Sequence, residues 1–198
     1  MKFETKRLIL RPPRKSDWKD ILDGAKDLNV TKNLEVVPYP YKKKDAVWFI
    51  KDSIKKRGAK EKKDYVFFIE LKSEKKVIGV TGLHRINKER GTATTGSWIS
   101  EPYWKNGFIT EAKIPIINFA FNKLKLRRLE SEAYVENRAS NNMSLKLGYK
   151  YEGTKRKSNK CKATGKIHDS NMYGLLKEEW KKRRPILIKE IKRRGRWK

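Results

Sequence analysis

The residues with the clearest chemical meaning are Pro102-Tyr103-Trp104-Lys105-Asn106-Gly107-Phe108-Ile109-Thr110-Glu111-Ala112. The run from Thr92 to Ile99 reads as a strand and Asn106-Gly107 as a turn. A helix then carries apolar residues at Ile109, Ala112, Ile116, Phe119, Ala120 and Leu124. A strand that turns directly into a helix leaves the first-turn N–H groups unpaired and aimed one way, which suits a phosphate or pyrophosphate. Lys105 puts a cation at that mouth. On spacing alone, one Gly before a helix is more often a plain turn.

A second stretch, Asn137-Arg138-Ala139-Ser140-Asn141-Asn142-Met143-Ser144-Leu145-Lys146-Leu147-Gly148-Tyr149, shifts that balance. Together the two resemble the GNAT superfamily of acyl-CoA-dependent N-acetyltransferases, in particular the branch that acetylates N-terminal alanines of ribosomal proteins. The matching elements are Tyr103-Trp104-x-x-Gly107-Phe108-x-x-Glu111-Ala112, Asn137-x-x-Ser140, Lys146-Leu147-Gly148-Tyr149 and Glu152-Gly153. Glu4 to Arg11 and Gly165-x-x-His168-Asp169 match as well, so the resemblance runs from near residue 3 to near residue 180. It implies a single GNAT-like α/β (α+β) domain with a mixed, mostly antiparallel sheet of six to seven strands and four helices. It also implies acetyl-CoA as co-substrate and a primary amine as acceptor.

By the same resemblance, Trp98, Ile99 and Ser100 position the pantetheine arm, and Lys105, Asn106, Gly107, Phe108, Ile109 and Thr110 hold the pyrophosphate. Asn137 is implied to use its amide on the pantetheine chain, Ser140 to return a proton to the departing thiolate, and Asn142 and Lys146 to line the nucleotide side. Ser140 is equally suited to capping the helix that starts beside it. Two positions depart from the general superfamily pattern: Trp104 replaces Gln or Arg, and Ile109 replaces a small residue, leaving less room at the phosphate.

Acetyl transfer needs a neutral amine, a fixed thioester, a stabilised oxyanion and a proton for the thiolate. An N-terminal α-amine, with a pKa near 8, is about one-tenth neutral at pH 7. A lysine side chain is neutral about once in a few thousand molecules. An α-amine acceptor therefore needs little more than a carboxylate and a water. Some members of the branch use a Glu between the Glu-Gly motif and the Gly-x-x-His-Asp turn, but Lys155 to Thr164 contains no acid here. Glu101, Glu132 and Glu70 remain as carboxylate candidates, each also readable as an ordinary surface acid, with His84 and His168 behind them. Cys161 lies in a polar, basic stretch outside both motifs, so direct attack is expected rather than an acetyl-cysteine intermediate.

The elements that must position these groups follow from patterning. Leu8-Ile9-Leu10 reads as a strand stopped by Pro12-Pro13, and Ser16 as the N-cap of a helix from Asp17 to Lys26. A second helix is expected from Lys44 or Asp45 to Arg57, with Val47, Ile50 and Ile54 on one side and Gly58 past its end. Asn29 to Lys43 between them reads as loop. Strands are expected at 65–71, 77–84, 92–99, 128–135, 149–156 and 167–176, with a short helix over 139–146. Pro115, inside the helix after Gly107, is expected to kink it.

Length suits one domain with a sizeable core, and residues 1–180 are read as that domain with 181–198 as a basic tail. Lys and Arg total 51 against 23 acids, a net charge of +28. So one-sided an excess reads as attraction to a polyanion rather than as ion-pair networks. Residues 177–198 alone hold 11 Lys or Arg against 3 Glu and end near Trp197. Such a tail can meet RNA phosphates and stack on bases, or simply solubilise the chain. A ribosome or RNA contact is therefore an expected partner beside a protein or peptide amine; cationic small molecules would be repelled unless acids gather locally.

No apolar run reaches membrane-spanning length, no secretory signal opens the chain, and one cysteine fits a reducing cytoplasm. Two histidines and one cysteine are too few for a protein-built zinc site, so no metal is expected. Nothing in the pattern specifies an oligomeric state. Two other readings stay open: a nucleic-acid-binding protein on an inactive GNAT scaffold, and a small-molecule amine acetyltransferase. An intact pantetheine groove separates the first of these from an enzyme.

Overall fold

Period-two alternation of large apolar residues builds the centre of the molecule, because neighbouring strand residues face opposite sides of a sheet. Phe67 belongs to one core and Phe68 to the other, and both are fully buried. In the computed structural model, which describes residues 1–193, the strands are β1 (Phe3–Glu4), β2 (Leu8–Arg11), β3 (Tyr65–Leu71), β4 (Lys76–Asn87), β5 (Thr92–Ile99), β6 (Arg128–Tyr134), β7 (Lys150–Lys160) and β8 (Ile167–Leu176). They form one eight-stranded sheet in the order β1-β2-β3-β4-β5-β6-β8-β7. Every pairing is antiparallel except β5 with β6. The mixed α/β class expected from the sequence is the one found, with a slightly larger sheet.

The helices are α1 (Trp18–Ala25), α2 (Leu28–Thr31), α3 (Lys43–Gly58), α4 (Phe108–Asn118), α5 (Arg138–Leu147) and α6 (Lys177–Arg193). The larger core sets Leu8, Leu10, Phe67 and Ile69 of the sheet against Ala112 and Ile116 of α4, Leu147 of α5, and Trp180, Leu187 and Ile191 of α6. The smaller one joins Ile21 of α1 and Ala46 and Ile50 of α3 to Phe68, Val77 and Val80. No helix among the described residues is long and apolar enough to cross a membrane.

Several local expectations change. Ser16 is exposed and caps nothing; Asp17 accepts from the Arg14 N–H at 2.6 Å and takes the Arg11 guanidinium in two hydrogen bonds of 2.9 and 2.8 Å. The expected loop after α1 holds the single turn α2, closed by Asp27, whose carboxylate accepts from the Asn29 N–H at 2.7 Å. On α3 the buried line is Ala46, Ile50 and Ser53, Gly58 is its last residue, and Ile54 is exposed. α4 stays helical through Pro115 to Asn118 and then widens into a π-helical turn over Phe119–Lys123.

The boundary drawn at residue 180 falls inside α6, which is tied down. Trp180 Nε1 donates to Asn118 Oδ1 at 2.8 Å, and Arg183 Nε to the Lys146 carbonyl at 2.9 Å. Trp197 lies outside the described residues.

What fixes the start of α4 is Glu111, only 1% exposed. Its carboxylate accepts from Thr5 Oγ1 at 2.6 Å, from the Arg7 N–H at 2.9 Å and from Arg7 Nε at 2.7 Å. Arg7 also donates to the Asn106 carbonyl at 3.1 Å and lies 4.2 Å from the centre of the Phe108 ring. The opening segment and the strand–turn–helix stretch thus meet at one buried acid. Glu111→Ala is expected to cost about 3 kcal/mol, since it strands a cation and two hydrogen-bond donors. Urea unfolding should show a lower midpoint at unchanged slope.

Candidate active site

β5 and β6 pair only at Thr92–Thr94 with Arg128–Glu130, although β5 runs on to Ile99 and β6 to Tyr134. Beyond those pairs the two strands part. The divergence opens a cleft of about 670 Å³ between the second half of β5, the end of β6 and the N-terminal turns of α4 and α5. At the parting point Thr95 Oγ1 donates to the Glu130 carbonyl at 3.2 Å and meets the buried Tyr149 hydroxyl at 3.0 Å.

Gly107 takes φ 76° and ψ 8°, the left-handed conformation that glycine adopts without strain, and stands at the N-cap of α4. The Glu111 N–H closes the first helical bond, to the Gly107 carbonyl at 3.1 Å, so the N–H groups before it have no partner inside the helix. Trp104 Nε1 donates to the Ile99 carbonyl at 2.8 Å, tying the turn to the strand before it.

At α5 the cap is Asn137: its Oδ1 accepts from the Ser140 N–H at 3.1 Å. The alternative role for Ser140 as a cap is therefore filled by another residue. Ser140 sits in the first turn and lines the cleft, and its hydroxyl has no hydrogen bond among the described residues. Asn141 fastens this turn from below. Its amide donates to the carbonyls of Tyr134 at 2.9 Å, Val135 at 3.3 Å and Asn137 at 2.8 Å, and it accepts from Asn171 Nδ2 at 3.0 Å and the Tyr173 hydroxyl at 2.7 Å.

Trp98, Ile99, Lys105, Gly107, Phe108, Ile109, Thr110, Glu132, Asn137, Ser140, Asn142 and Lys146 come together around the cleft. Ser100, Asn106 and Glu101 do not line it. Ser100 is buried and donates to the Ile78 carbonyl at 3.0 Å; Asn106 binds the Trp104 carbonyl at 3.0 Å; Glu101 accepts from Asn29 Nδ2 at 3.0 Å. Nor do the other proposed bases. Glu70 is paired with Arg11 on β3, His84 faces Asp64 at 3.3 Å, and His168 stacks on Tyr134 at 4.1 Å with Nδ1 3.3 Å from Glu136. Among the described residues lining the cleft the carboxylates are Glu132 and Glu35, and Asn159 donates its amide to Glu132 Oε1. No group of three potential metal-ligating side chains occurs among the described residues.

Glu35, Tyr134 and Lys113 are among the lining residues that the sequence does not single out. Glu35 carries no local signal. Tyr134, one side chain along from Glu132 on the same strand, is buried with its hydroxyl unpartnered. Burial first, then the nearby Cys161 and Glu35, holds that phenol in its neutral form. Lys113 was legible as a lysine on the otherwise apolar line that starts at Ile109. It is 3% exposed, and burial alone brings its pKa from 10.5 to about 8.

The Acetyltransferase (GNAT) domain family matches residues 7–150, and the chain belongs to that family. A relative named uncharacterized N-acetyltransferase p20, from Bacillus licheniformis, is 30% identical over 178 residues, covering 89% of this chain and 96% of its own. The ribosomal-protein-serine acetyltransferase of Escherichia coli (strain K12) is 30% identical over 89 residues, 45% of this chain and 50% of that protein. Among solved structures, RimL, a ribosomal L7/L12 alpha-N-protein acetyltransferase in complex with coenzyme A, superposes with a TM-score of 0.76. It does so at 19% identity, over 89% of this chain and 98% of its own. The protein is a GNAT-family N-acetyltransferase.

Two outcomes follow. Asn137→Asp keeps an acceptor for the cap but loses the amide donor, so it should leave thermal stability unchanged and weaken acetyl-CoA binding about tenfold by calorimetry. Asn137→Ala should show the same weakening plus a loss of about 1 kcal/mol. For Lys113 the folded pKa lies below the unfolded one, so the unfolded chain binds the extra proton and stability rises with pH between about 8 and 10.5. Relative to wild type, Lys113→Met should gain about 3 kcal/mol at pH 7, and the gain should vanish as pH approaches 10.5. Paired denaturant titrations across that range test it.

Proposed function

We propose that this enzyme moves the acetyl group of acetyl-CoA to the N-terminal α-amine of a protein or peptide, by direct attack. The observation that carries the reading is an acidic patch in the cleft lining of a protein of net charge +28: Glu132 and Glu35 line it, and the Tyr134 phenol feels both. A cationic amine is drawn to that patch, and an α-amine is neutral often enough to react once a carboxylate takes its proton.

In this reading Glu132, oriented by Asn159, acts as base through a water. The stretch that lacks an acid thus supplies instead the amide that holds one. The backbone of Trp98 and Ile99 and the amide of Asn137 hold the pantetheine arm. The first turn of α4, with Lys105, holds the pyrophosphate, while Asn142 and Lys146 flank the nucleotide. The uncommitted Ser140 hydroxyl donates the proton that the thiolate needs.

The names of RimL and of the Escherichia coli relative support a protein acceptor. Contact with ribosomal RNA belongs to the same proposal. It is supported by β7, an exposed edge strand carrying Lys155, Arg156, Lys157 and Lys160 beside the cleft-lining Asn159. The buried thiol of Cys161 is in keeping with a reducing cytoplasm.

The test is acetyl transfer at physiological salt to peptides with free N-termini, set beside the same peptides N-blocked with a free lysine and beside a polyamine. The α-amine peptides should be preferred. Ser140→Ala should lower kcat about a hundredfold with acetyl-CoA affinity nearly unchanged, and Glu132→Gln should lower the rate most below pH 8. Faster transfer to the polyamine would replace this reading with a small-molecule acetyltransferase.

A further inference from the structure

Lys113 has no role in the chemistry above, yet its surroundings are unusual for a lysine. It lies in the second turn of α4, four residues beyond Ile109, and both residues line the cleft. Residues four apart stack on one helix face, so Lys113 sits about 6 Å further along the helix than Ile109 and the phosphate-binding turn. Lys113 therefore lines the wall of the cleft one turn inward from the start of α4.

A buried ammonium is normally paired, because an isolated charge in a low-dielectric interior is costly. Among the described residues Lys113 has neither an ion pair nor a hydrogen bond, and burial is the sole cause of its lowered pKa. It is a buried primary amine in the lining of the cleft that the reading above assigns to acetyl-CoA. We propose that Lys113 is a self-acetylation site, taking the acetyl group of bound acetyl-CoA when no acceptor is present. The inference rests on the acetyl-CoA cleft described above and goes beyond its use on an external amine.

The step balances without a further reactant. The neutral Nζ attacks the thioester carbonyl carbon, a C–N bond forms and the C–S bond breaks. The proton released from nitrogen passes to the departing thiolate, giving coenzyme A thiol and a neutral amide. With a pKa of about 8, roughly a tenth of Lys113 is neutral at pH 7, against about one in a few thousand for an exposed lysine. That ratio of several hundred singles Lys113 out among the many lysines of this chain.

The full chain, incubated with acetyl-CoA and no acceptor, is followed by intact mass and peptide mapping. The expected result is one hydroxylamine-stable acetyl group on Lys113, saturable in acetyl-CoA and suppressed by excess coenzyme A. Lys113→Arg and Lys113→Met, each shown to be folded by a cooperative urea transition, should lose that label. Acetylation spread over exposed lysines and undiminished by coenzyme A would overturn the inference. So would a hydroxylamine-labile adduct on Cys161 or Ser140 in its place. Calorimetry on the same samples separates the two levels: no acetyl-CoA binding sinks the cleft reading, whereas tight binding without a label on Lys113 sinks this inference alone.

Discussion

The structure turns on one backbone constraint, the separation of β5 from β6 after three paired residues. Buried peptide groups need partners, so a strand that leaves its neighbour must find them elsewhere. β5 resolves part of this internally: Thr95 reaches across to the Glu130 carbonyl, and the Trp104 indole takes the Ile99 carbonyl. Between those points its free edge faces the cleft, in position to bond an extended amide-bearing chain such as pantetheine. The helices that follow each strand, α4 and α5, begin at the two sides of the same opening.

Holding the gap open requires that both helix starts be fixed, and each is fixed by one buried polar side chain. Glu111 binds the first turn of α4 to the opening segment through Thr5 and Arg7. Asn141 spends every donor and acceptor of its amide on β6, β8 and the cap of α5. These residues are satisfied by the scaffold, whereas the neighbouring Ser140 hydroxyl and the amide nitrogen of Asn137 have no hydrogen bond among the described residues and lie in the cleft lining. Residues at adjacent positions in one motif thus divide between holding the site and lining it.

That division explains what was legible. Alternation and turn residues located every long strand and both helices flanking the cleft, since those signals are local. The motif also brought twelve of the expected site residues into one place. Partner choice was not legible. Ser140 and Asn137 are both good caps, and only the backbone angles of Asn137 decide between them. Ser100 reads like the β5 residues just before it, but its N–H and its hydroxyl both turn to the Ile78 carbonyl rather than to the cleft. Glu35 reaches the cleft from a segment far away in sequence, held where the Lys162 N–H meets its carbonyl at 2.9 Å, and no local pattern encodes that crossing. The apolar residues of α6 were visible, but their burial depended on the face that α5 and β8 present to them.

The distribution of charge is the last step. A net charge of +28 attracts phosphates everywhere on the surface and so cannot by itself select a site; selection has to come from geometry and from local exceptions to the sign. The cleft supplies both. The first turn of α4 opens on it through backbone rather than through lysine number, and its lining carries Glu132 and Glu35 against the prevailing charge. Lys113, in the same lining, carries the opposite cost: it is desolvated and unpaired, so at neutral pH part of its population gives up the proton. A cleft that lowers the charge of an enclosed amine is also a cleft in which an incoming amine can lose its proton. The same desolvation that favours a neutral Lys113 therefore favours the nucleophilic form of the acceptor.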